Sequence, residues 1–376
     1  MMITAPPLWL VLVAFICMLG PLVFFHELGH YLVARWFKVP AEIFSIGFGR
    51  EVVGWSDKQG TRWKVGWLPL GGYVKFVGDM NAASVPGEES DVPPELRDRA
   101  FQFRPVWQRF LIVLAGPMAN FLLAILIFAA FFSLVGAPVS NIVGAVAEGT
   151  PAARAGIQPG DRILSIAGRP TKTFADLANA TVVRPNETVV VEIQRGRTVN
   201  RLRVTLGSDV VRDTYGRKFD RGILGIGGSA QSLQPLPVWQ AVPEAVTQTF
   251  RLTRAMIDGI IQIVRGYVSP KQLGGPITIA KVAGDYASLG ALQFVQLLAL
   301  FSINLGFINL LPVPMLDGGH LLFYAVEAVR RRPLSARALD WAFRGGLAAI
   351  LALLLFTTFN DLGGLGLWDR LQRLIG

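Results

Sequence analysis

The most chemically loaded stretch of the chain is His26-Glu27-Leu28-Gly29-His30. Residues four apart share one face of a helix, so both imidazoles can reach a single metal ion. Glu27 stands beside them. Zinc lowers the pKa of its bound water to about 7, and a neighbouring carboxylate can then take the proton, which permits hydrolysis at neutral pH. The chain holds 3 histidines, and two of them fall in this motif. They also extend an uncharged run from Leu8 to Phe25. Ionisable groups at membrane depth are costly and usually mark function.

Catalytic zinc takes three protein ligands and keeps a fourth position open. The remaining candidates lie far downstream, in Asn309-Leu310-Leu311-Pro312-Val313-Pro314-Met315-Leu316-Asp317-Gly318-Gly319-His320. Asp317 is the only acid between Asp285 and Glu327, and it ends an uncharged stretch. A carboxylate there needs a cation, which a zinc ion on His26 and His30 supplies. His320, three residues on, is the competing ligand; Asp317 is preferred, with His320 in a supporting role. Pro312 and Pro314 interrupt helical hydrogen bonding. Irregular backbone survives in a membrane only where it lines a cavity or is covered by protein. The freed segment is therefore expected to bind an extended substrate, with Asn309 donating to the scissile carbonyl or its oxyanion. The alternative for Asn309 is a packing role beside a kink.

These residues need helices to hold them, and composition says that the helices are in a bilayer. Hydrophobic residues make up 52% of the 376 and charged residues 16%, against roughly a quarter charged in soluble domains. Besides Leu8 to Phe25, apolar runs cover Phe110 to Val135, Phe294 to Leu316 and, less cleanly, Leu339 to Phe359, giving about four transmembrane helices. The first run lacks a basic leader and continues into His26 and Glu27, so it is expected to be retained rather than cleaved. The net charge of +10 is scattered over loops without an aromatic-interleaved stripe, which argues against nucleic acid and for a membrane surface. A single cysteine, Cys17, excludes an intramolecular disulfide framework and is expected to be an inert packing residue. Arg330, Arg331, Arg332 and Arg337 form the densest basic cluster near a span end. The positive-inside tendency puts that loop in the cytoplasm, and with it the loop after the first span, leaving both termini on the outer side.

Between the spans, Ala41 to Val77 alternates β-branched and aromatic residues with Gly and polar positions and predicts short strands in hairpins. Trp55, Trp63, Trp67 and Tyr73 suit a sheet near the interface, although a cytosolic hairpin domain fits equally. Met80 to Asp98 is rich in Pro, Ser and acid and reads as a flexible loop. Residues 138–228 have the strand alternation, helix signal and turns of one small α+β domain. Pro237 to Tyr267 carries charges at helical spacing among apolar residues and reads as an amphipathic helix on the membrane surface. The expected segments are a first transmembrane helix over 1–37, hairpins and loop over 38–106, and a second span over 107–136. The inserted domain follows over 138–228, an amphipathic segment over 236–290, a third span over 292–328, a fourth over 338–360 and a tail over 361–376.

The two long motifs, H-E-x-x-H and N-x-x-P-x-P-x-L-D-G-G, in this order, resemble the site-2 protease family of intramembrane zinc metalloproteases, specifically its bacterial RseP-like branch. The likeness runs through nearly the whole chain. It implies His26, His30 and Asp317 as zinc ligands, Glu27 as general base, and Asn309 as a substrate-binding or oxyanion residue. It also implies a membrane-associated β-hairpin that presents substrate as a strand, and residence in the bacterial inner membrane. The expected substrates are single-pass membrane proteins, such as an anti-sigma factor or a leftover signal peptide, cut in regulated intramembrane proteolysis. Ala115-Gly116-Pro117-Met118-Ala119-Asn120 is similar to the family's second-span start, where small residues permit close helix approach. Leu273-Gly274-Gly275-Pro276-Ile277 is also family-like. Residues 150–164, from Thr150-Pro151-Ala152-Ala153 to Gly160-Asp161-Arg162-Ile163-Leu164, resemble PDZ domains of bacterial proteases, which bind a peptide C-terminus or add an extended peptide to a sheet edge. Gly222 to Gly227 is a candidate peptide-binding loop. Enterobacterial members of the branch carry two such domains in tandem, whereas this chain has room for one. A periplasmic PDZ-like domain would exclude substrates that keep bulky outer domains. Two other classes compete: a transporter whose buried His, Glu and Asp relay protons or carry a metal, and a non-catalytic PDZ scaffold. The first leaves the PDZ-like block unexplained, and the intact Glu27 weighs against the second.

Overall fold

The computed structural model describes residues 6–78, 94–138, 141–212, 218–228, 233–266, 268–270 and 273–364. The chain forms two compact units, Met1–Ile127 with Gly275–Thr358, and Phe128–Gly274 with Phe359–Gly376. Most of the loop expected at 80–98, and most of the tail expected at 361–376, fall outside the described residues.

The first unit opens with helix α1 (Leu8–Trp36), which follows an extended Pro7. Its buried residues include Ala14, Met18, Leu22, His26, His30 and Ala34. A four-residue recurrence marks one stripe of the helix, so the two histidines are the continuation of the packing face. Leu12, Val13 and Ile16 lie on the outer side, exposed, as a span needs toward lipid. Cys17 is exposed with them rather than packed, because it falls one turn beyond the outward-facing Val13. Strands β1 (Ala41–Ser56) and β2 (Arg62–Phe76) follow. They pair antiparallel, and residues 43–46 of β1 are bridged both by 72–75 and by 62–65. β2 must double back between 65 and 72 for this, and Gly71 there takes a φ of 90°, a region open to glycine at little cost. Trp63 stacks on Phe44 at 4.2 Å, while Trp55 and Trp67 stay exposed. Asp57 ties the hairpin tip to α1 by accepting from Tyr31, Trp63 and two backbone amides. Partial desolvation works against the ionised carboxylate, but these donors outweigh it and hold its pKa down at about 2.

Helix α2 (Val106–Leu134) begins in the first unit. Tyr31, Phe44, Val74, Phe76, Ile112, Val113 and Leu321 share one buried core, which locks α1, the sheet and the start of α2 together.

The second unit takes up the end of α2 and the inserted domain. Its strands are β3 (Ala137–Pro138), β4 (Val143–Val146), β5 (Arg162–Ile166), β6 (Arg169–Pro170), β7 (Thr188–Arg195) and β8 (Thr198–Thr205). After them come β9 (Gly207–Arg212), β10 (Lys218–Ile223), β11 (Ile226–Gly228) and β12 (Leu233–Gln234). Four of these form a sheet in the order β6-β5-β7-β8. Short helix α3 (Pro151–Arg154) and helix α4 (Phe174–Val182) accompany the strands, α4 opened by a reciprocal cap between Thr173 and Asp176. Ile163, Ile166, Leu177, Val191, Ile193 and Leu206 make a separate core in this unit. Asp161 closes the turn before β5: Arg195 donates to both its oxygens at 2.8 and 2.7 Å. The Arg195 bonds foremost, with the Gln158 amide, hold the Asp161 carboxyl below the usual carboxylate range.

The expected amphipathic segment is two helices. Helix α5 (Val238–Val264) in the second unit shows an exposed row of Trp239, Val242, Val246 and Phe250, while Arg251 bonds Glu244 and Asp258 pairs with Arg169. Helix α6 (Pro276–Leu289) in the first unit packs on α1, with Gly284 so close to Val11 that a β-carbon would stand 2.7 Å from it. Helix α7 (Ala291–Asn309) then runs to the 310–316 turn, and helix α8 (Asp317–Arg330) starts directly after it. The single helix expected over 292–328 is thus broken where Pro312 and Pro314 stand. Helix α9 (Ala336–Gly364) completes the fold. Four helices, α1, α2, α7 and α9, are long and apolar enough to cross a membrane, which makes this a multi-pass α-helical membrane protein.

Candidate metal centre

Three donors from distant parts of the first unit converge. His26 and His30 present Nε2 from successive turns of α1, 3.3 Å apart. Asp317, in the first turn of α8, brings Oδ2 to 3.1 Å from His26 Nε2 and 3.6 Å from His30 Nε2. Among the described residues this is the group of His, Cys, Asp and Glu side chains whose donor atoms gather closely enough to hold a metal.

The turn before α8 explains how Asp317 arrives. Met315 takes a φ of 80°. A β-carbon on Gly318 would collide with the Leu310 and Leu311 carbonyls, and one on Gly319 would stand 2.8 Å from Pro314 Cα. The Asp-Gly-Gly sequence therefore lets the turn fold tightly back on the start of α8. Pro312 and Pro314 shape this turn, and neither lines the cavity at the site, whereas Met315 and Leu316 do. His320, one turn further, lies among Phe323, Tyr324 and Phe343 and lines the cavity without joining the three converging donors.

Zinc fits the donors present. Zn–N distances near 2.0–2.1 Å require ligand atoms about 3.3 Å apart on a tetrahedron, and the three separations here are 3.1, 3.3 and 3.6 Å. Asp317 Oδ2 is buried and has no hydrogen-bond partner, despite its closeness to both imidazoles. That oxygen and a donor nitrogen of each imidazole lie within 4.8 Å of one another, close enough to share one ion. Two imidazoles and one carboxylate match the make-up of catalytic zinc sites, which keep a fourth position open. No sulfur ligand is involved.

A cavity of about 260 Å³ opens on this cluster. Glu27 lies in its wall, 9% exposed, with its carboxyl toward the Val74 backbone amide of β2. Gly71 to Val74 line the same cavity, and Gly72 is pressed against α1, where a β-carbon would stand 3.2 Å from Glu27 Cγ. Asn309 ends α7 with Nδ2 3.4 Å from His26 Nε2.

Helix α2 contributes what sequence reading assigned only to helix packing. The Ile112 carbonyl accepts from His30 Nδ1 at 2.9 Å, Asn120 meets His26 Nδ1 at 3.1 Å, and Gly116 lies flat against the His30 ring. A lone asparagine and a Gly-Pro pair inside an uncharged run were the available signal.

In the second unit, a groove of about 320 Å³ lies between α4 and residues 222–226, with Leu177, Ala178, Val182 and Ile226 in its walls.

A catalytic zinc set in a buried cavity, held by helices that cross a membrane, defines an intramembrane metallopeptidase, and the chain belongs to Peptidase family M50, whose profile matches residues 14–353. It is 42% identical to a candidate zinc metalloprotease of Agrobacterium fabrum, with 94% of this chain and 96% of that one covered. It is 43% identical to a further candidate zinc metalloprotease of Rhizobium meliloti, over 93% of this chain and 96% of that one. Metalloprotease MmpA of Caulobacter vibrioides is 39% identical, over 94% of this chain and 95% of its own length.

Proposed function

We propose that this chain is a zinc-dependent endopeptidase that cuts membrane-anchored proteins within or beside the bilayer, with His26, His30 and Asp317 as the zinc ligands. The observation that carries the reading is the convergence of those three donors at tetrahedral spacing beside Glu27. When bound, the ion supplies Lewis-acid polarisation of the scissile carbonyl and acidifies the hydrolytic water. Glu27 acts as general base, taking the proton of the attacking water and passing it to the leaving amide nitrogen. Asn309 donates from Nδ2 to the carbonyl oxygen as that atom gains charge. The Gly71–Val74 edge of β2 offers backbone groups to a substrate in extended form, which an intact helix would keep hidden. The turn built by Pro312 and Pro314 closes the opposite wall through Met315 and Leu316.

Purified protein is expected to hold one zinc ion and to cleave a single-pass reporter in vesicles. Asp317→Ala should lose both the ion and the cleavage. Cleavage that persists after the ion is stripped with a chelator would sink the metallopeptidase reading.

The substrates proposed are single-pass proteins shortened by an earlier cut, such as an anti-sigma factor or a signal-peptide remnant. The setting is the bacterial inner membrane, with both termini and the PDZ-like domain periplasmic. The arginines after α8 support that orientation, and the exposed apolar row on α5 supports its lying on the lipid surface. The groove beside α4 is proposed to take a peptide C-terminus. A fluorescent peptide with an apolar last residue should bind saturably, and Val182→Glu should remove most of that binding. Equal binding to both proteins, or none to either, would take the groove out of the proposal.

A further inference from the structure

His26 has two ring nitrogens with different neighbours. Nε2 faces Asp317 and His30, whereas Nδ1 faces the side-chain amide of Asn120 at 3.1 Å. Asn120 is fully buried in an apolar helix, and its Oδ1 has no hydrogen-bond partner. A buried polar side chain in that setting is expensive unless its bonding matters. Its backbone is fixed separately: Ser302 of α7 donates its hydroxyl to the Asn120 carbonyl at 2.7 Å.

We propose that Asn120 is a positioning residue that sets the tautomer of His26. A neutral imidazole that gives Nε2 to a metal must carry its proton on Nδ1, and that N–H needs an acceptor. An amide turned by 180° puts Oδ1 where Nδ2 stands, a change that alters neither shape nor packing. Asparagine thus serves both states of the site. Without the ion, its N–H donates to Nδ1; with the ion, its carbonyl accepts from Nδ1–H. His30 needs no such adaptability, since its Nδ1 meets a backbone carbonyl, Ile112 O, which can only accept. Ile112 and Asn120 lie eight residues apart on one helix, so α2 orients both imidazoles. Groups that accept from ligating histidines are worth about 10- to 100-fold in metal affinity.

This inference rests on the zinc reading, and the test separates the two. Zinc affinity is measured on the full-length protein in detergent by competition with a chromophoric chelator, with thermal unfolding of the zinc-free form recorded alongside. A wild-type protein that holds no zinc sinks the metallopeptidase reading itself. Given wild-type binding, Asn120→Leu is expected to weaken it about 10- to 100-fold. Asn120→Asp, which keeps an acceptor, should restore near wild-type affinity. Ser302→Ala, which removes the hydrogen bond to the Asn120 backbone carbonyl and leaves the Asn120 side chain in place, should leave affinity unchanged. Wild-type affinity in the Leu variant overturns the proposal, as does an Asp variant as weak as the Leu variant. If the Leu variant does not fold, the Asp variant decides alone: weak binding by a folded Asp variant overturns the assignment.

Discussion

Glu27→Gln is expected to abolish proteolysis while leaving zinc in place. The substitution keeps the volume of the side chain in a site that is 9% exposed, so the packing of Gly72 against α1 persists. The three ligand side chains, His26, His30 and Asp317, are untouched, and the zinc-to-protein ratio should match the wild type. What disappears is the ability to accept a proton. General base catalysis contributes roughly 10²- to 10⁴-fold to a hydrolysis, and no second carboxylate among the described residues is placed to substitute, because Asp317 is committed to the metal cluster. The rate of a single turnover on a vesicle-reconstituted reporter should therefore fall by at least about 10²-fold. Substrate binding, carried by the strand edge and by Asn309, should change little. A variant that cleaves within tenfold of the wild type would show that Glu27 takes no part in the proton transfer. A variant that loses zinc as well would show instead that Glu27 holds the cluster together.

The parts of this architecture that sequence could declare are those written in local pattern. Uncharged runs gave four spans because lipid tolerates few charges, and His26 and His30 were paired by the four-residue recurrence of a single helix. Asp317 was readable because an isolated acid at the end of an apolar stretch has to be explained by a cation. The helix break was readable from Pro312 and Pro314, although not that it would divide the third apolar region into α7 and α8. Asn120 and Gly116 were visible only as small or polar residues in a packing motif. Their meaning depends on neighbours 94 and 86 positions away in the chain, His26 and His30, and nothing in the periodicity of α2 says which helix it meets or in which rotation. Helix α6 was hidden for a similar reason. The residues it buries are Ala283 and Gly284, whose contribution is close approach rather than hydrophobic contrast.

Gly116→Ala should empty the metal centre with a single methyl group. A β-carbon at position 116 would land on the His30 ring at Nε2, the nitrogen that faces His26 and Asp317, and would stand 2.8 Å from Cδ2. His30 has no room to yield in place, since Nδ1 is bonded to Ile112 O of the same helix at 2.9 Å. Across the same contact, a β-carbon on Gly29 would strike the Ala115 carbonyl and come within 2.8 Å of Ala119 Cβ. Both helices are therefore at closest approach where the ligands sit, and two outcomes remain: α2 moves out, or the imidazole rotates away. Overpacking of this kind costs about 1–3 kcal/mol in stability, which a folded membrane protein survives, but either outcome displaces one of three ligands. Zinc affinity should fall by about 10- to 100-fold, the scale of losing a ligand's orientation, and proteolysis should fall with it. Gly20→Ala is the matching control on α1, because a β-carbon there meets nothing within 4 Å; it should leave zinc and cleavage unchanged. The decisive measurement is zinc affinity by chelator competition together with helical content. Wild-type affinity in a folded Gly116→Ala protein would mean that α1 and α2 can part without disturbing His30, and that the close approach of the two helices is not what holds the centre in place.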